Sequence, residues 1–487
     1  MNTHLLALQL MAFQGCLGAF DTIYHHELTE ALPGRPSARR ELGIHSVRAA
    51  IYSALFIGLA GWEFQGWWAL LLLLVFAVEI GLTLWDFVVE DRTRLLPATE
   101  RVTHTVLAMN GGAFIALLAL GTPQAMALPT ALAWQPQGML SAFLALCGVG
   151  VGLSGVRDGW AAWTMGRVIA QDSATAAMHF ADGERSFLVT GATGFIGQRL
   201  VRALLRDGHR VTVLTRQARQ AAWLFEGRVD CIDSMAQLPS SRRIDVIINL
   251  AGARILGWRW TAARKQALRK SRVALTDGLI EWIAGAEHKP AQLLSASAIG
   301  YYGIQARGDA ASLKENDPPQ PIFMSDLCRE WEEAAQRAEV HGVRVARMRF
   351  GLVLGRQGAL PMMLLPVKLG LGGPLAGGSQ WLSWIHVGDV IGGMAHLCRT
   401  GAEGAFNFTA PQTVTQREFS QAAATVMRRP CSFPTPGWPM RLMLGEQADL
   451  LLEGQRVVPA RLQEGGYAFR FARLEAALRD LICTKVT

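Results

Sequence analysis

The stretch Ser186-Phe-Leu-Val-Thr-Gly-Ala-Thr-Gly-Phe-Ile-Gly197 narrows the fold more than any other part of this chain. An apolar, β-branched run enters a turn with glycines at 191, 194 and 197, and an amphipathic run from Gln198 to Arg206 follows. Strand, glycine turn and helix in that order are what a dinucleotide pyrophosphate needs. Gly191 permits the tight turn, Gly194 lets backbone approach the phosphates, and Gly197 lets helix and strand pack closely. The helix N-terminus then offers free N–H groups to the anion. Thr193, Phe195 and Ile196 complete the loop as candidate cofactor contacts. The bland alternative is a strand–turn–helix whose glycines serve packing alone.

Arg210 to Arg216 reads as a second strand, whose end meets the adenosine ribose in dinucleotide-binding units. An acid there holds the 2′-OH of NAD, whereas an arginine accommodates the 2′-phosphate of NADP. Arg216 stands at that end and no acid does, which favours NADP(H) over NAD(H) against the alternative of a solvated arginine. Asp245 to Gly252 is a further buried strand, and Leu250, Ala251 and Gly252 at its end let backbone pass close to a cofactor. Gln292 to Ser297 leads another strand into Ser295, Ser297, Tyr301 and Tyr302. Ligands of open α/β sheets sit at the carboxyl ends of strands, so these hydroxyls are the first place to look for chemistry.

The first third of the chain is of another kind. Hydrophobic residues make up 51% of the whole and charged residues 18%, an oily balance explained by apolar runs at 5–20, 47–62, 67–87, 103–121 and 138–156. Roughly 20 apolar residues span a bilayer. The loops between the runs alternate. The first carries Arg35, Arg39, Arg40 and Arg48 and the third Arg92, Arg94 and Arg101, while the second and fourth have no Lys or Arg. That alternation predicts five spans of an inner membrane with the basic loops on one side: loops one and three and the C-terminal part face the cytoplasm, as in a multi-pass bacterial protein. The net charge of +8 then reflects arginines at the membrane; no Lys/Arg block interleaves with aromatics, so no nucleic-acid partner is expected. Seven scattered cysteines without a C-x-x-C pair argue against a zinc ribbon or a disulfide framework. The reading is a transmembrane helical domain at 1–165, a linker at 166–184, a nucleotide-binding domain at 185–350 and a substrate lobe at 351–487.

From about Phe187 to Ile482 the chain resembles the extended short-chain dehydrogenase/reductases, more narrowly the atypical YfcH-like epimerase family. The motifs are Thr190-Gly-Ala-Thr-Gly-Phe-Ile-Gly197, Asn249-Leu-Ala-Gly252, Arg259-Trp-Thr261, Ser271-Arg-Val273 and Ser295-Ala-Ser-Ala-Ile-Gly-Tyr-Tyr-Gly303. Leu327-Cys-Arg-Glu-Trp-Glu332, Gly351-Leu-Val-Leu-Gly355, Ser383-Trp-Ile-His-Val387, Leu444-Gly-Glu446 and Leu451-Leu-Glu-Gly-Gln-Arg-Val457 follow. The resemblance implies an α/β fold: a Rossmann-type doubly wound parallel sheet with a smaller C-terminal substrate lobe, here preceded by an all-α membrane domain of about five helices. It also implies NADP(H). Extended members usually carry Tyr-x-x-x-Lys for proton relay; laid on that pattern, this chain has Met324 and Cys328, which cannot do that work. Ser297, Tyr301 and Tyr302 are the substitute catalytic candidates, with half-buried packing as the alternative for the tyrosines. His386, Arg349 and Asp389 read as structural.

Asp21-x3-His25, Glu41-x3-His45 and Glu100-x3-His104 repeat one spacing that puts acid and histidine on one helix face. Glu79, Asp86 and Glu90 share another face. Helix-end salt bridges, a metal site (His25, His45, Glu79 and His104 as candidates) and a headgroup or proton site are the three readings, and Glu79 inside the most apolar run favours function. For the whole chain the expectation is a membrane-anchored NADP(H)-dependent oxidoreductase or epimerase-like enzyme with a small-molecule or lipid-like substrate. The alternatives are a non-catalytic NADP(H) sensor and a metal-dependent membrane part supplied with reducing equivalents.

Overall fold

The computed structural model describes residues 3–29, 32, 39–93, 96, 98–172, 178–255 and 259–483. Arg35, Arg94 and part of the expected linker (173–177) lie outside them. The chain divides between residues 175 and 176 into two compact units.

The first unit is helical: α1 (Thr3–Phe20), α2 (Arg39–Gly61), α3 (Trp67–Thr93), α4 (Ala98–Met126) and α5 (Met139–Asp172). A wider-wound π-helical turn, Asp21–Thr29, continues α1. All five helices are long and apolar enough to cross a membrane. They outrun the apolar stretches, because the charged segments at 39–46, 86–93 and 98–102 are helical as well. The last helix likewise runs to Asp172, beyond the expected start of the linker at 166. Between α2 and α5 the contact is made of small residues. A side chain at Gly152 would stand 2.8 Å from Ser53 Oγ, at Gly155 2.6 Å from Ala49 Cβ, and at Gly159 2.6 Å from Ser46 Oγ. Such close backbone approach lets helices pack without a hydrophobic driving force. At the far end, the short strands Trp62–Phe64 and Leu132–Trp134 pair antiparallel, joining the two loops that lack Lys and Arg.

The second unit holds a seven-stranded sheet, entirely parallel: β1 (Ser186–Thr190), β2 (Arg210–Leu214), β3 (Asp230–Ile232), β4 (Val246–Asn249), β5 (Gln292–Ala298), β6 (Arg344–Phe350) and β7 (Gly404–Phe408). In space they run 3-2-1-4-5-6-7. Adjacent residues of one strand feed opposite faces, as strand geometry requires. Phe187, Val189, Ile248 and Leu294 pack on α6 (Phe195–Arg206) and α10 (Val387–Thr400). Leu188, Ile247 and Leu293 pack on α8 (Leu275–Gly285) and α9 (Phe323–Gln336), while α7 (Ala218–Leu224) links β2 to β3. Both faces being covered explains why the strands read as continuous apolar runs. This is a Rossmann-type doubly wound sheet. The segment after residue 350, read as one substrate lobe, returns to the sheet: α10 and β7 belong to its layers. A separate core of Leu360, Leu364, Trp384, Phe419, Leu474 and Leu478 marks the smaller lobe. The cause is the parallel register of β7 on β6, from Gly404 against Ala346 to Phe408 against Phe350, which only a crossover can supply.

The close α2–α5 contact makes a specific expectation. Gly155→Leu should lower helical-unit stability by about 1–3 kcal/mol through overpacking. Gly150→Ala, at a position with open space around it, should not. The thermal midpoint of detergent-solubilised protein by circular dichroism reads both.

Candidate functional site

The glycine turn lies at the carboxyl end of β1. Gly191 has φ +68°, and a side chain there would stand 2.8 Å from the Leu250 carbonyl and 2.9 Å from the Ala251 nitrogen. β1 and β4 thus touch through backbone at their ends. Thr190 ties them: its hydroxyl donates to Asn249 Oδ1 (2.7 Å) and accepts from the amides of Leu250 (3.2 Å) and Ala251 (3.1 Å). Asn249 in turn donates to Thr276 Oγ1 at 2.9 Å. Gly197 abuts the Gly191 carbonyl and the Ala192 backbone, so α6 starts flush against the turn. Gly194 caps α6 without any side-chain hydrogen bond, leaving the first N–H groups of the helix directed at the turn, as anion binding requires. Thr193 and Ile196 are half-buried in the loop. The Phe195 ring lies against Gly355 and Gly358, which bring the loop after β6 over the turn. Gly252 packs on the Arg272 guanidinium, whose Nη2 donates to the Ala253 carbonyl at 3.0 Å. β2 stops at Leu214, so Arg216 sits exposed two residues past the strand end.

The serine–tyrosine end of β5 leads into a buried polar network. Ser297, 2% exposed, donates to Glu332 Oε1 at 2.7 Å. Arg349 grips the same carboxylate with Nε and Nη2, each at 2.8 Å. Its Nη1 donates to the Tyr302 hydroxyl at 2.9 Å and to the Glu315 carbonyl at 3.0 Å. Tyr302 donates its own hydrogen bond to Asn407 Oδ1 at 2.7 Å. Burial, opposed by Arg349, pushes the Tyr302 phenol up to about 12. Tyr301 is half-buried and stacks on the Arg349 guanidinium, 3.5 Å from ring centre to carbon. Ser297, Tyr301 and Tyr302 are therefore brought together, but by a bidentate ion pair. Glu332, Asn407 and Glu315 have no motif to announce them; the one available signal was an acid at the end of a helix motif, Leu327 to Glu332. Met324 is buried in apolar packing with Leu268 and Leu327; Cys328 is buried beside Ser297 and Glu332, and burial pushes its thiol up to about 12. His386 caps α10 by accepting from the Gly388 amide at 3.0 Å, and Asp389 accepts from the amides of Arg470 and Phe471.

In the helical unit the acids and histidines converge where α2 and α4 begin and α3 ends. His45 Nε2 lies 3.0 Å from Asp86 Oδ2 and 4.0 Å from Glu90 Oε1. His104 faces Glu90 through Nδ1 (3.4 Å) and Asp21 through Nε2 (3.2 Å). Of the four metal candidates, these two meet in ligand groups, and the other two are engaged elsewhere. His25 bonds Asp21 at 2.8 Å and Thr99 at 3.3 Å. Glu79 accepts from Thr83 at 2.6 Å and from Arg48 at 3.2 Å.

The Glu332–Arg349 pair generates two expectations. Glu332→Ala, which leaves a buried guanidinium uncompensated, should cost about 3–5 kcal/mol in chemical denaturation of the second unit, and Glu332→Gln less. Tyr302 makes alkaline stability measurable. Its folded-state value lies above the ordinary phenol value of 10.0, so its contribution is complete below that value and lost as pH rises through about 12. The denaturation midpoint should fall across that window, and less steeply in Tyr302→Phe.

Comparison with known proteins bears on the second unit. Residues 187–408 match the NAD dependent epimerase/dehydratase family, and residues 435–481 a domain of unknown function, DUF1731. An epimerase family protein of Staphylococcus saprophyticus is 38% identical over 302 residues, 61% of this chain and 99% of that protein. A chloroplastic epimerase family protein of Arabidopsis thaliana is 37% identical over 309 residues, 62% of this chain and 88% of its own length. The solved structure of the human epimerase family protein SDR39U1, with NADPH, superposes with a TM-score of 0.56 at 33% identity, covering 62% of this chain and all of that one. With almost the whole length of such relatives matched by the second unit's share of sequence, the chain belongs to the NAD dependent epimerase/dehydratase family.

Proposed function

We propose that this chain is a membrane-anchored, NADP(H)-dependent oxidoreductase or epimerase-like enzyme acting on a hydrophobic, lipid-like small molecule. The observation that carries the nucleotide part is the uncapped N-terminus of α6 set against the Gly191–Leu250 backbone contact. Gly191, Thr193, Gly194, Phe195, Ile196 and Gly197 hold the pyrophosphate, and Leu250, Ala251 and Gly252 line its far side. Arg216 takes the 2′-phosphate, since no acid stands at the end of β2. The human relative solved with NADPH supports the same choice.

Anchoring is supported by an inverted distribution of side chains in the helical unit. Trp67, Leu74, Leu84, Met109, Leu120, Leu146 and Leu153 are exposed, whereas Glu41, Glu90 and Glu100 are fully buried. Apolar outside and ionisable inside is the arrangement a bilayer selects. The basic loops would then face the cytoplasm, where the nucleotide is. A hydrophobic substrate is supported by Leu369, Leu371, Phe433, Trp438, Leu442 and Met443, all exposed on neighbouring segments of the smaller lobe. Tyr301 is the proton-relay candidate, because Ser297 and Tyr302 are committed to Glu332 and Asn407.

That commitment favours a second reading, a non-catalytic NADP(H) sensor. Turnover separates them. Detergent-purified protein should bind NADPH more tightly than NADH, with the preference lost in Arg216→Ala and both lost in Gly194→Asp. Absorbance of NADPH at 340 nm should fall on adding a membrane lipid extract, and not in Gly194→Asp. Tight binding with no fall in absorbance would support the sensor.

A further inference from the structure

The acid–histidine cluster of the helical unit is built differently from a row of salt bridges. Asp21, Glu41, Glu79, Asp86, Glu90 and Glu100 are all buried in it. Arg48 pairs with Glu79 and Asp86. Within the cluster, His26 and His45 stack face to face with centroids 4.8 Å apart. Two imidazolium rings in that arrangement repel, whereas neutral rings stack readily. Asp86 Oδ1 is buried with no hydrogen-bond donor, and His104 Nδ1 meets Glu90 without hydrogen-bond geometry. A cation bound by carboxylates and neutral imidazoles removes each of these costs at once.

Among the described residues the geometry brings ligands together in three sets, of which Asp21, His26 and His104 form one and the other two share Glu90. Glu41, His45 and Glu90 bring one ligand atom each to within 4.8 Å of one another, and so do Glu90, Glu100 and His104. Each of these two takes an acid and a histidine four residues apart on one helix, α2 or α4, and shares Glu90 of α3. We propose that the helical unit binds a pair of divalent first-row transition-metal ions, one held by Glu41 and His45, the other by Glu100 and His104, with Glu90 bridging them. Carboxylate and imidazole donors without thiolate select manganese, iron or zinc over softer metals. Asp21, 3.2 Å from His104 Nε2, holds that ring so that Nδ1 turns to the ion. Asp86, its Oδ2 fixed by Arg48 at 2.6 Å, lies 3.0 Å from His45 Nε2, the nitrogen that also faces Glu90. His25 and Glu79 are outside all three sets. The proposal does not rest on the nucleotide reading.

The test uses full-length protein in detergent, stripped with chelator and reconstituted with Mn(II). Elemental analysis should find about two ions per chain, and low-temperature electron paramagnetic resonance should show an exchange-coupled pair, the mark of ions about 3.5–4 Å apart. His45→Ala and His104→Ala should each release about one ion and abolish the coupling. Glu90→Gln, which preserves volume, should abolish the coupling with helix content by circular dichroism unchanged. Background metal in the unmutated protein after reconstitution with Mn(II), Fe(II) and Zn(II) would overturn the proposal. So would an uncoupled single ion, or both ions retained in His45→Ala and His104→Ala.

Discussion

Where β1 meets β4, two backbones touch with nothing between them. A side chain at Gly191 would strike the Leu250 carbonyl carbon, so the turn exists only because that residue has no Cβ. Thr190 reinforces the contact by serving as donor to Asn249 and acceptor for the next two amides. Everything that bears on the nucleotide site depends on this meeting. It sets where α6 begins, places the β4 loop opposite the helix N-terminus and, through Asn249 and Thr276, anchors the helix behind the sheet. The proposed site is therefore a property of the strand ends themselves.

A few residues along the sheet the chemistry changes character. The end of β5 carries hydroxyls as the Rossmann plan leads one to expect, yet Ser297 and Tyr302 terminate in Glu332, Arg349 and Asn407. The positions of the usual tyrosine and lysine hold Met324 and Cys328, both buried. Removal of the lysine removes the charge that would lower a phenol, and burial moves Tyr302 in the opposite direction. A buried bidentate pair is a costly element to keep for stability alone. What it does supply is a fixed plane on which Tyr301 lies.

How much of this was legible in the sequence follows from whether a feature is local. The glycine turn, the order of strands and helices, and the five long apolar helices are encoded in spacing, and they stand in the structure. The Ser297–Glu332–Arg349–Tyr302–Asn407 network joins β5, α9, β6 and β7, and no one-dimensional pattern connects residues separated by as many as 105 positions. The same limit applies to β7, whose return to the sheet is a fact of register on β6. Gly148, Gly152, Gly155 and Gly159 are a visible stripe in the sequence, but only the structure shows it facing Ile57, Ser53, Ala49 and Ser46. Likewise His25 shares the acid-x3-His spacing of His45 and His104, yet its ring bonds Asp21 and Thr99 and falls outside the ligand groups.

The small strand pair at the other end of the helical unit has a mechanical consequence. Trp62–Phe64 and Leu132–Trp134 are hydrogen-bonded, and the amides of Gln65, Gly66 and Gln135 bond across to Ala131, Ala125 and Gly61. Glu63 accepts from both Gln65 and Gln135. This clip binds the α2–α3 connection to the α4–α5 connection and leaves no slack there. Breathing of the bundle is then a pivot about the clip, like a peg hinged at its base, and its amplitude grows with distance along the helices. The acids and histidines sit at the opposite end, where α2 and α4 begin and α3 ends. Small splaying of these helices would change the spacing of that cluster more than the spacings beside the clip.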